Sequence, residues 1–318
     1  MRKIPQRGMR QVFYSTCGTP CRAESSLLCF REVGVIRRIR TSIQSLIGVT
    51  VVAGGVVIFA PAASAISIPV ACSPGALVAA VTQANSTATS DTLVLASGCT
   101  YQMTLPYGGL SNALPVITTP IEMIGPATIT RSSLLPFRIA EVSVTGKLTL
   151  TTEITFSNGS VVGSGGGILN RGAVTLTKSS LRGNTATLNG GGLSNVDTST
   201  GTAPAATFTR SPVVNNSALL SGGGIYNGRR GTLTTTGVSG SLMLITGNSA
   251  TLGGGGIAAL NSTATTLTQT AVTANHELLT AGGVYRQGGT MTTTNSPISA
   301  NTPNNCVGSA PAVPNCTG

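Results

Sequence analysis

The feature that most limits the fold is a glycine cluster that recurs five times at a nearly constant distance from an asparagine. Examples are "GNTATLNGGGL" (183–193) and "GNSATLGGGGI" (247–257). The last glycine of the cluster follows its asparagine by nine residues in the first repeat and by eight in the other four. The asparagines are Asn158, Asn184, Asn216, Asn248, Asn275 and Asn301, and the glycines are Gly167, Gly192, Gly224, Gly256 and Gly283.

Each repeat also contains a Thr-x-Thr segment with an apolar central residue. In "AVTLT" (173–177), Val174 and Leu176 alternate with two threonines, which is the period of two expected for a strand with one buried face. The apolar centres are Leu150, Leu176, Phe208, Leu233, Leu267 and Met291. Units of about 25 to 32 residues with short strands and turns are typical of solenoids. The sequence therefore predicts an all-β fold, a parallel β-helix.

The repetition of the glycine clusters indicates what the glycines do. A phosphate-binding loop occurs once, between a strand and a helix. A calcium-binding glycine repeat contains a recurring Asp, and these clusters contain none. Glycine and asparagine both tolerate positive φ angles. We therefore interpret the clusters as structural corners, and we expect the aligned asparagines to form a hydrogen-bonded ladder from coil to coil.

The first 65 residues have the pattern of a leader. Nine of the 19 basic residues precede position 41, and the segment 41–65 contains no charged residue. It ends in the small residues "ASA", which predicts a secretory signal cleaved after Ala65. A retained membrane anchor is the alternative, and a start codon assigned too far upstream would explain the unusual length. We predict a leader over 1–65 and a β-helix domain over 66–318.

Removal of this leader changes the charge and cysteine content. The remaining ten basic and six acidic residues form no basic patch, so nucleic acid is not an expected partner. Four cysteines remain, and they allow three pairings in an exported protein. The proximity of Cys306 and Cys316 favours a disulfide between them, and therefore a second one between Cys72 and Cys99.

The segment 73–85 predicts a short N-terminal helix that caps the first coil. Ser73 has the N-cap position, and Pro74 has the first helical position. We expect the first coil over 91–105. The predicted apolar face of the helix consists of Leu77, Ala80, Val81 and Ala84.

The repeat pattern "GGGI-x-N … TLT … GN-x-A" resembles right-handed β-helix proteins of the pectin-lyase-like group. More narrowly, it is similar to the glycine-rich repeats of polymorphic outer membrane proteins. The resemblance covers about residues 72–316. It implies a right-handed single-stranded parallel β-helix and an exported bacterial protein.

No group of residues has the pattern of a catalytic or metal site. Enzymes on this fold need several carboxylates within one or two coils. The six carboxylates of the domain are Asp91, Glu122, Glu141, Glu153, Asp197 and Glu277, and no two lie closer than 12 residues in sequence. His276, the only histidine, follows a corner asparagine as a turn residue would. We expect no catalytic residue, no metal and no cofactor.

These observations favour a secreted or cell-surface protein, non-enzymatic, with an adhesion or envelope-interaction role. Its expected partner is an extracellular or cell-wall polysaccharide or a host surface, and a membrane only if the leader is uncleaved. A polysaccharide lyase or glycoside hydrolase is the alternative, with Glu141 and Glu153 as the nearest carboxylates. A third hypothesis is ice binding, because six coils would present a Thr-x-Thr ladder on one outer face. Its members are Thr149, Thr151, Thr175, Thr177, Thr207, Thr209, Thr232, Thr234, Thr266, Thr268, Thr290 and Thr292.

The leader prediction is tested by the N-terminus of the exported protein. We expect mass spectrometry of the secreted fraction to find a chain that begins at Ile66, because signal peptidase cleaves after a small-x-small motif. A chain that stays in the membrane fraction with residues 41–65 attached would support the anchor instead.

Overall fold

The computed structural model describes residues 49–52, 55–58, 64–109, 111–197 and 202–318. Most of the predicted leader therefore lies outside the described residues. Two short strands within it, Val49–Val52 and Gly55–Ile58, pair antiparallel with each other. They belong to the unit Met1–Pro61, whereas the elements below belong to the unit Ala62–Gly318.

The second unit is a parallel β-solenoid of about eight turns, and each full coil adds a strand to three long sheets. Sheet A consists of Ser67–Val70, Asp91–Leu95, Pro120–Ile124, Lys147–Thr151, Ala173–Thr177, Ala205–Thr209, Thr232–Thr236, Ala264–Thr268 and Thr290–Thr294. Sheet B consists of Cys99–Met103, Ala127–Arg131, Ile154–Ser157, Ser180–Arg182, Val213–Val214, Met243–Thr246, Thr270–Thr273 and Ile298–Ser299.

Sheet C faces the remaining side of the core, and a short sheet D lies in the chain between sheets B and C. Sheet C consists of Ala140–Val142, Ile168–Asn170, Leu193–Asn195, Ile225–Asn227, Ile257–Leu260 and Val284–Gln287. Sheet D consists of Ser160–Val161, Thr185–Ala186 and Ser217–Ala218. The predicted parallel β-helix is confirmed.

The core lies between the sheets because alternate residues of each strand point inwards. Val174 and Leu176 are buried, and the threonines between and after them are half-buried. The next coil places Ala206 and Phe208 directly against them in register. Apolar side chains thus stack along the solenoid, and each one packs between its equivalents in the coils on either side.

The N-terminal helix is also confirmed. It spans Pro74–Ala84, and the Ser73 side chain accepts a hydrogen bond from the Ala76 N–H at 3.2 Å. Its buried face is the predicted one, and it packs onto the core. The helix has eleven residues, and in the described part of the chain no helix is both long and apolar enough to span a bilayer.

The start of the solenoid differs from the prediction in one respect. The strand Ser67–Val70 precedes the helix and pairs with Asp91–Leu95, so sheet A begins one strand earlier than the predicted first coil. Hydropathy gave no signal for this strand, because its burial depends on pairing with a distant segment and only Val70 of its four residues is buried. The Cys72–Cys99 disulfide ties the chain after this strand to the first strand of sheet B.

The C-terminal end is closed by the last 18 residues. The Cys306–Cys316 disulfide forms as predicted. Arg286 is buried and donates from Nη1 to the Ala312 carbonyl at 2.9 Å. Asn315 donates from Nδ2 to the Thr293 carbonyl at 3.0 Å. The terminal segment therefore covers the last coil and protects its strand edges from pairing with another chain.

An asparagine ladder joins successive coils at the corner that follows sheet B. In each step one amide oxygen accepts two hydrogen bonds of 2.9–3.0 Å, from the backbone N–H and from the side-chain Nδ2 of the asparagine in the preceding coil. Each Nδ2 also donates to a backbone carbonyl of the preceding coils. The members are Asn184, Asn216, Asn248, Asn275 and Asn301, all of them buried.

The prediction that Asn158 belongs to this ladder is wrong by one residue. Gly159 has the ladder position, and its N–H donates to Asn184 Oδ1 at 2.9 Å. Asn158 has a φ of 57° and occupies the left-handed corner that precedes the ladder. Gly183 and Asn215 occupy the same position in the following coils. The exceptional spacing of nine residues in the first repeat reflects this shift.

The glycine clusters are only partly corners. The first glycine, such as Gly190, has a positive φ of 68°. The next two glycines do not have a positive φ angle, but a Cβ atom at either position would collide with the neighbouring coil. A Cβ on Gly191 would lie 2.4 Å from the Gly223 carbonyl oxygen, and one on Gly192 would lie 2.7 Å from the Gly224 carbonyl oxygen and 3.2 Å from the Asn216 amide. Two of the three glycines therefore permit close stacking of coils against the ladder.

A second, shorter asparagine ladder was not predicted. Asn170 donates to Asn195 at 2.7 Å, and Asn195 donates to Asn227 at 2.8 Å. All three lie at the ends of sheet C strands and are buried. The signal was the asparagine two residues after each "GGGI" or "GGGL" motif in these three coils.

Replacement of a ladder asparagine should destabilise the fold strongly. Asn216→Ala removes four buried hydrogen bonds and leaves the amide groups of its neighbours unpaired. We expect the free energy of unfolding to fall by about 3 kcal/mol, measured by chemical denaturation.

Asn158→Gly is the matched control for this prediction. Asn158 lies beside the ladder position in its own coil, and glycine accepts its positive φ without strain. We expect a change of less than about 0.5 kcal/mol. Equal losses in the two variants would mean that the ladder does not determine stability.

Candidate functional site

The most regular surface of the described structure is the outer face of sheet A. Six consecutive strands place threonines in two unbroken columns, with each threonine paired to its equivalent in the next coil. We call these two columns the threonine face. The first column is Thr149, Thr175, Thr207, Thr234, Thr266 and Thr292. The second column is Thr151, Thr177, Thr209, Thr236, Thr268 and Thr294.

Two members of the predicted Thr-x-Thr ladder lie outside these two columns. Thr232 pairs with Ala205, and Thr290 pairs with Ala264, so both stand in a third column at the start of the strands. Thr236 and Thr294 complete the second column in their place. The predicted alignment of Leu233 and Met291 with the other apolar centres was therefore wrong by two residues.

The cause of this error is the presence of threonine inside the core. Thr235 and Thr293 occupy the inward position that Leu176 has in its own coil, and both are buried. A rule that places an apolar residue at the centre of each segment misses such a position. The spacing to the asparagine ladder would have identified one of the two as an inward residue. Thr293 precedes Asn301 by eight residues, just as Leu176 precedes Asn184.

The threonine face is rigid and almost uncharged. The inward neighbours of the threonines are buried, which holds the strands in place. Threonine is β-branched and has few χ1 rotamers on a strand. Adjacent coils lie about 4.8 Å apart, so hydroxyl and methyl groups repeat at that interval. Charged residues border the face at its N-terminal end, where Glu122 accepts from Thr151 at 3.3 Å and Lys147 is the first residue of its strand. Lys178 and Arg210 border it at the corner after Thr177 and Thr209.

The carboxylates have different partners and are spread over the solenoid. Glu141 lies in sheet C and forms ion pairs with Arg138, at 3.1 Å, and with Arg171. Burial lowers the pKa of the Arg138 guanidinium, and the Glu141 carboxylate opposes that shift. Glu153 lies at the corner after sheet A, on another side of the coil. The structure therefore does not bring Glu141 and Glu153 to one site.

The other acidic residues also have structural contacts. Asp91 is buried and accepts from the Ile66 N–H at 2.9 Å and from the Thr87 hydroxyl at 2.5 Å. Asp197 lies 3.3 Å from Arg230. In the described part of the chain, no three His, Cys, Asp or Glu side chains converge as metal ligands would.

Glu277 and His276 occupy a turn near the C-terminal end. Glu277 is buried and accepts from the backbone N–H of Leu279 at 2.7 Å and from that of Thr280. His276 is exposed, and its backbone bridges to Ser249 and Thr302 as the second rung after sheet D. In the described part of the chain, the hydrogen bonds of these two side chains include none to a hydroxyl or thiol group that could act as a nucleophile.

Two grooves on other faces were not predicted. One, of about 280 Å³, lies on sheet D and is lined by the hydroxyl groups of Thr185, Ser217 and Ser249 and by the methyl groups of Ala186 and Ala218. The other, of about 340 Å³, lies at the corner between sheets A and B and contains Lys178 and Arg210. The sequence signal for the second was a basic residue directly after Thr-x-Thr, in "TLTK" and "TFTR".

No protein-family model matches this chain, and no curated protein matches it in sequence. The parallel β-helix fold is that of surface proteins and polysaccharide-related proteins in general. The two disulfides are compatible with an extracellular protein.

Proposed function

We propose that this protein is an exported, non-enzymatic β-helix that adheres to an extended, uncharged surface through the threonine face. A polysaccharide layer of a cell wall or of a host is the expected ligand class. The observation that carries the proposal is the pair of unbroken threonine columns across six coils. We also propose that the repeats are related to those of pectin-lyase-like and polymorphic outer membrane proteins.

The chemistry of the face supports a neutral ligand. Threonine hydroxyls donate and accept hydrogen bonds, and the methyl groups between them offer apolar contact. A sugar ring has the same combination of hydroxyl groups and apolar faces. Because the columns are straight and repeat at about 4.8 Å, many weak contacts to one ordered surface can add together. The scattered carboxylates give no observation that favours the enzymatic alternative.

Binding to insoluble polysaccharides tests this proposal. Purified residues 66–318 are incubated with cellulose, chitin and cell-wall sacculi, and the bound fraction is measured after sedimentation. In the double variant Thr207→Lys/Thr236→Lys, two charged side chains stand in the centre of the face. We expect the affinity for the bound polymer to fall at least about tenfold, since a charge must be desolvated at the contact.

The matched control is the double variant Thr100→Lys/Thr185→Lys. It adds the same charge at two exposed threonines of sheets B and D. We expect it to bind like the unmodified protein. Equal binding by all three proteins would show that adhesion uses another surface, and no binding to any of the polymers would contradict the proposal.

Ice is a second candidate ligand for the same face. The outward columns contain no charged residue between Ala173 and Thr294, and the interval between coils is constant. Such a surface can bind an ordered layer of water as well as a polymer. We expect thermal hysteresis in the unmodified protein and in the Thr100→Lys/Thr185→Lys control, and its loss in Thr207→Lys/Thr236→Lys. An unmodified protein without thermal hysteresis excludes this candidate and leaves the first one intact.

A further inference from the structure

The corner between sheets A and B forms a groove along four coils. Its N-terminal part, of about 340 Å³, is lined by Glu153, Lys178, Ser180 and Arg210, among others. A second part, of about 190 Å³, shares Arg210 and continues to Leu242 and Leu244. Pro212 also lines both parts. We call the two parts together the corner groove.

Two cations lie side by side in this groove. Lys178 and Arg210 follow the sheet A strands of consecutive coils, and the Lys178 N–H donates to the Thr209 carbonyl at 2.9 Å. Their backbones are thus about 5 Å apart, the distance between coils. Both side chains are exposed, and in the described part of the chain neither forms an ion pair. One anionic group can therefore contact both.

The backbone at these positions does not favour Lys or Arg. Lys178 and Arg210 have φ angles of 50° and 49°, which lie in the left-handed region. Asparagine has the lower cost there, and Asn295 occupies the same corner in a later coil. Gln269 has the same conformation at this corner in another coil, with a φ of 48°, so Lys178 and Arg210 differ from that equivalent in charge and not in backbone conformation.

The two ends of the groove differ in chemistry. Glu153 stands at the N-terminal end, where a second anionic group would meet its carboxylate. At the other end, Leu242 and Leu244 are 40% and 43% exposed, and Pro212 and Arg210 line this part of the groove with them. The groove therefore offers one anion position followed by an apolar surface, and it disfavours a polymer with many negative charges.

We propose that the corner groove binds a single-headed amphiphilic anion, such as an alkyl sulfate or an alkyl carboxylate. The head group lies between Lys178 and Arg210, beside the Ser180 hydroxyl, which shares a hydrogen bond of 2.9 Å with the Thr155 hydroxyl. The alkyl chain lies along Pro212, Leu242 and Leu244. This site lies at the corner where the sheet A strands end, and its lining includes no residue of the threonine face, so it does not depend on the function proposed for that face.

Titration calorimetry with short amphiphiles below their micellar concentrations tests the proposal. Octyl sulfate and octanoate are compared with octyl glucoside, which has a neutral head, and with inorganic sulfate, which has no alkyl chain. We expect one or both of the anionic amphiphiles to bind about tenfold more tightly than either control, or better. Only a ligand with both an anionic head and an alkyl chain contacts both halves of the groove. The one that binds more tightly identifies the head group.

Variants separate the two halves of the groove. Lys178→Gln and Arg210→Gln should each weaken octyl sulfate binding about tenfold, through loss of a charge-assisted contact. Leu244→Ser should weaken octyl sulfate binding but not the binding of inorganic sulfate. Arg182→Gln is the matched control, because Arg182 is an exposed cation of sheet B outside the groove lining, and it should bind like the unmodified protein.

All of these residues are on the surface, so the thermal unfolding midpoints should be unchanged, which separates binding from folding. The proposal is wrong if neither anionic amphiphile binds more tightly than octyl glucoside. It is also wrong if the double variant Lys178→Gln/Arg210→Gln binds like the unmodified protein.

Discussion

The buried asparagine ladder is the interaction on which the other features of the solenoid depend. Each amide oxygen binds the backbone and the side chain of the asparagine in the preceding coil, and each Nδ2 binds a backbone carbonyl. A shift of one residue in any coil would leave several buried polar groups unpaired, each at a cost of about 1–3 kcal/mol. Apolar stacking already opposes a shift of one residue, because the apolar side chains would then point outwards, but a shift of two residues keeps them inside and is opposed chiefly by the ladder. The ladder therefore sets the register.

That register determines what the outer faces display. Because the coils are aligned at one corner, every second residue of sheet A falls into a straight column, and the threonines of six coils become one surface. Insertions do not disturb this order, since they leave the coil at corners. The turn Val238–Ser241 is an example, because the chain returns to sheet B at Met243 directly after it. It also forms part of the wall of the corner groove.

The few charged residues are placed where the regular pattern ends or turns. Glu141 with its two arginines lies in the first coils, and Arg286 holds the C-terminal segment by its backbone carbonyls. Lys178 and Arg210 stand at corners, where a long side chain reaches solvent. The middle of the threonine face has no charge at all. This arrangement lets one solenoid carry a neutral face and, at the adjoining corner, a small basic site.

The sequence by itself determined the repeat period, the alternation of inward and outward residues in the repeated strands, the N-terminal helix and the two disulfides. These depend on signals within a short segment, such as Ser73 and Pro74 before an apolar helix face, or the nearness of Cys306 to Cys316. Only the tertiary structure decided the shift of Asn158, the inward position of Thr235, the second ladder and the pairing of two cations in a groove. Each of these depends on which residues adjacent coils, 25 or more positions apart, place opposite each other. Local hydropathy carries no information about that contact, because threonine and asparagine are buried here only where a partner in the next coil accepts or donates their hydrogen bonds.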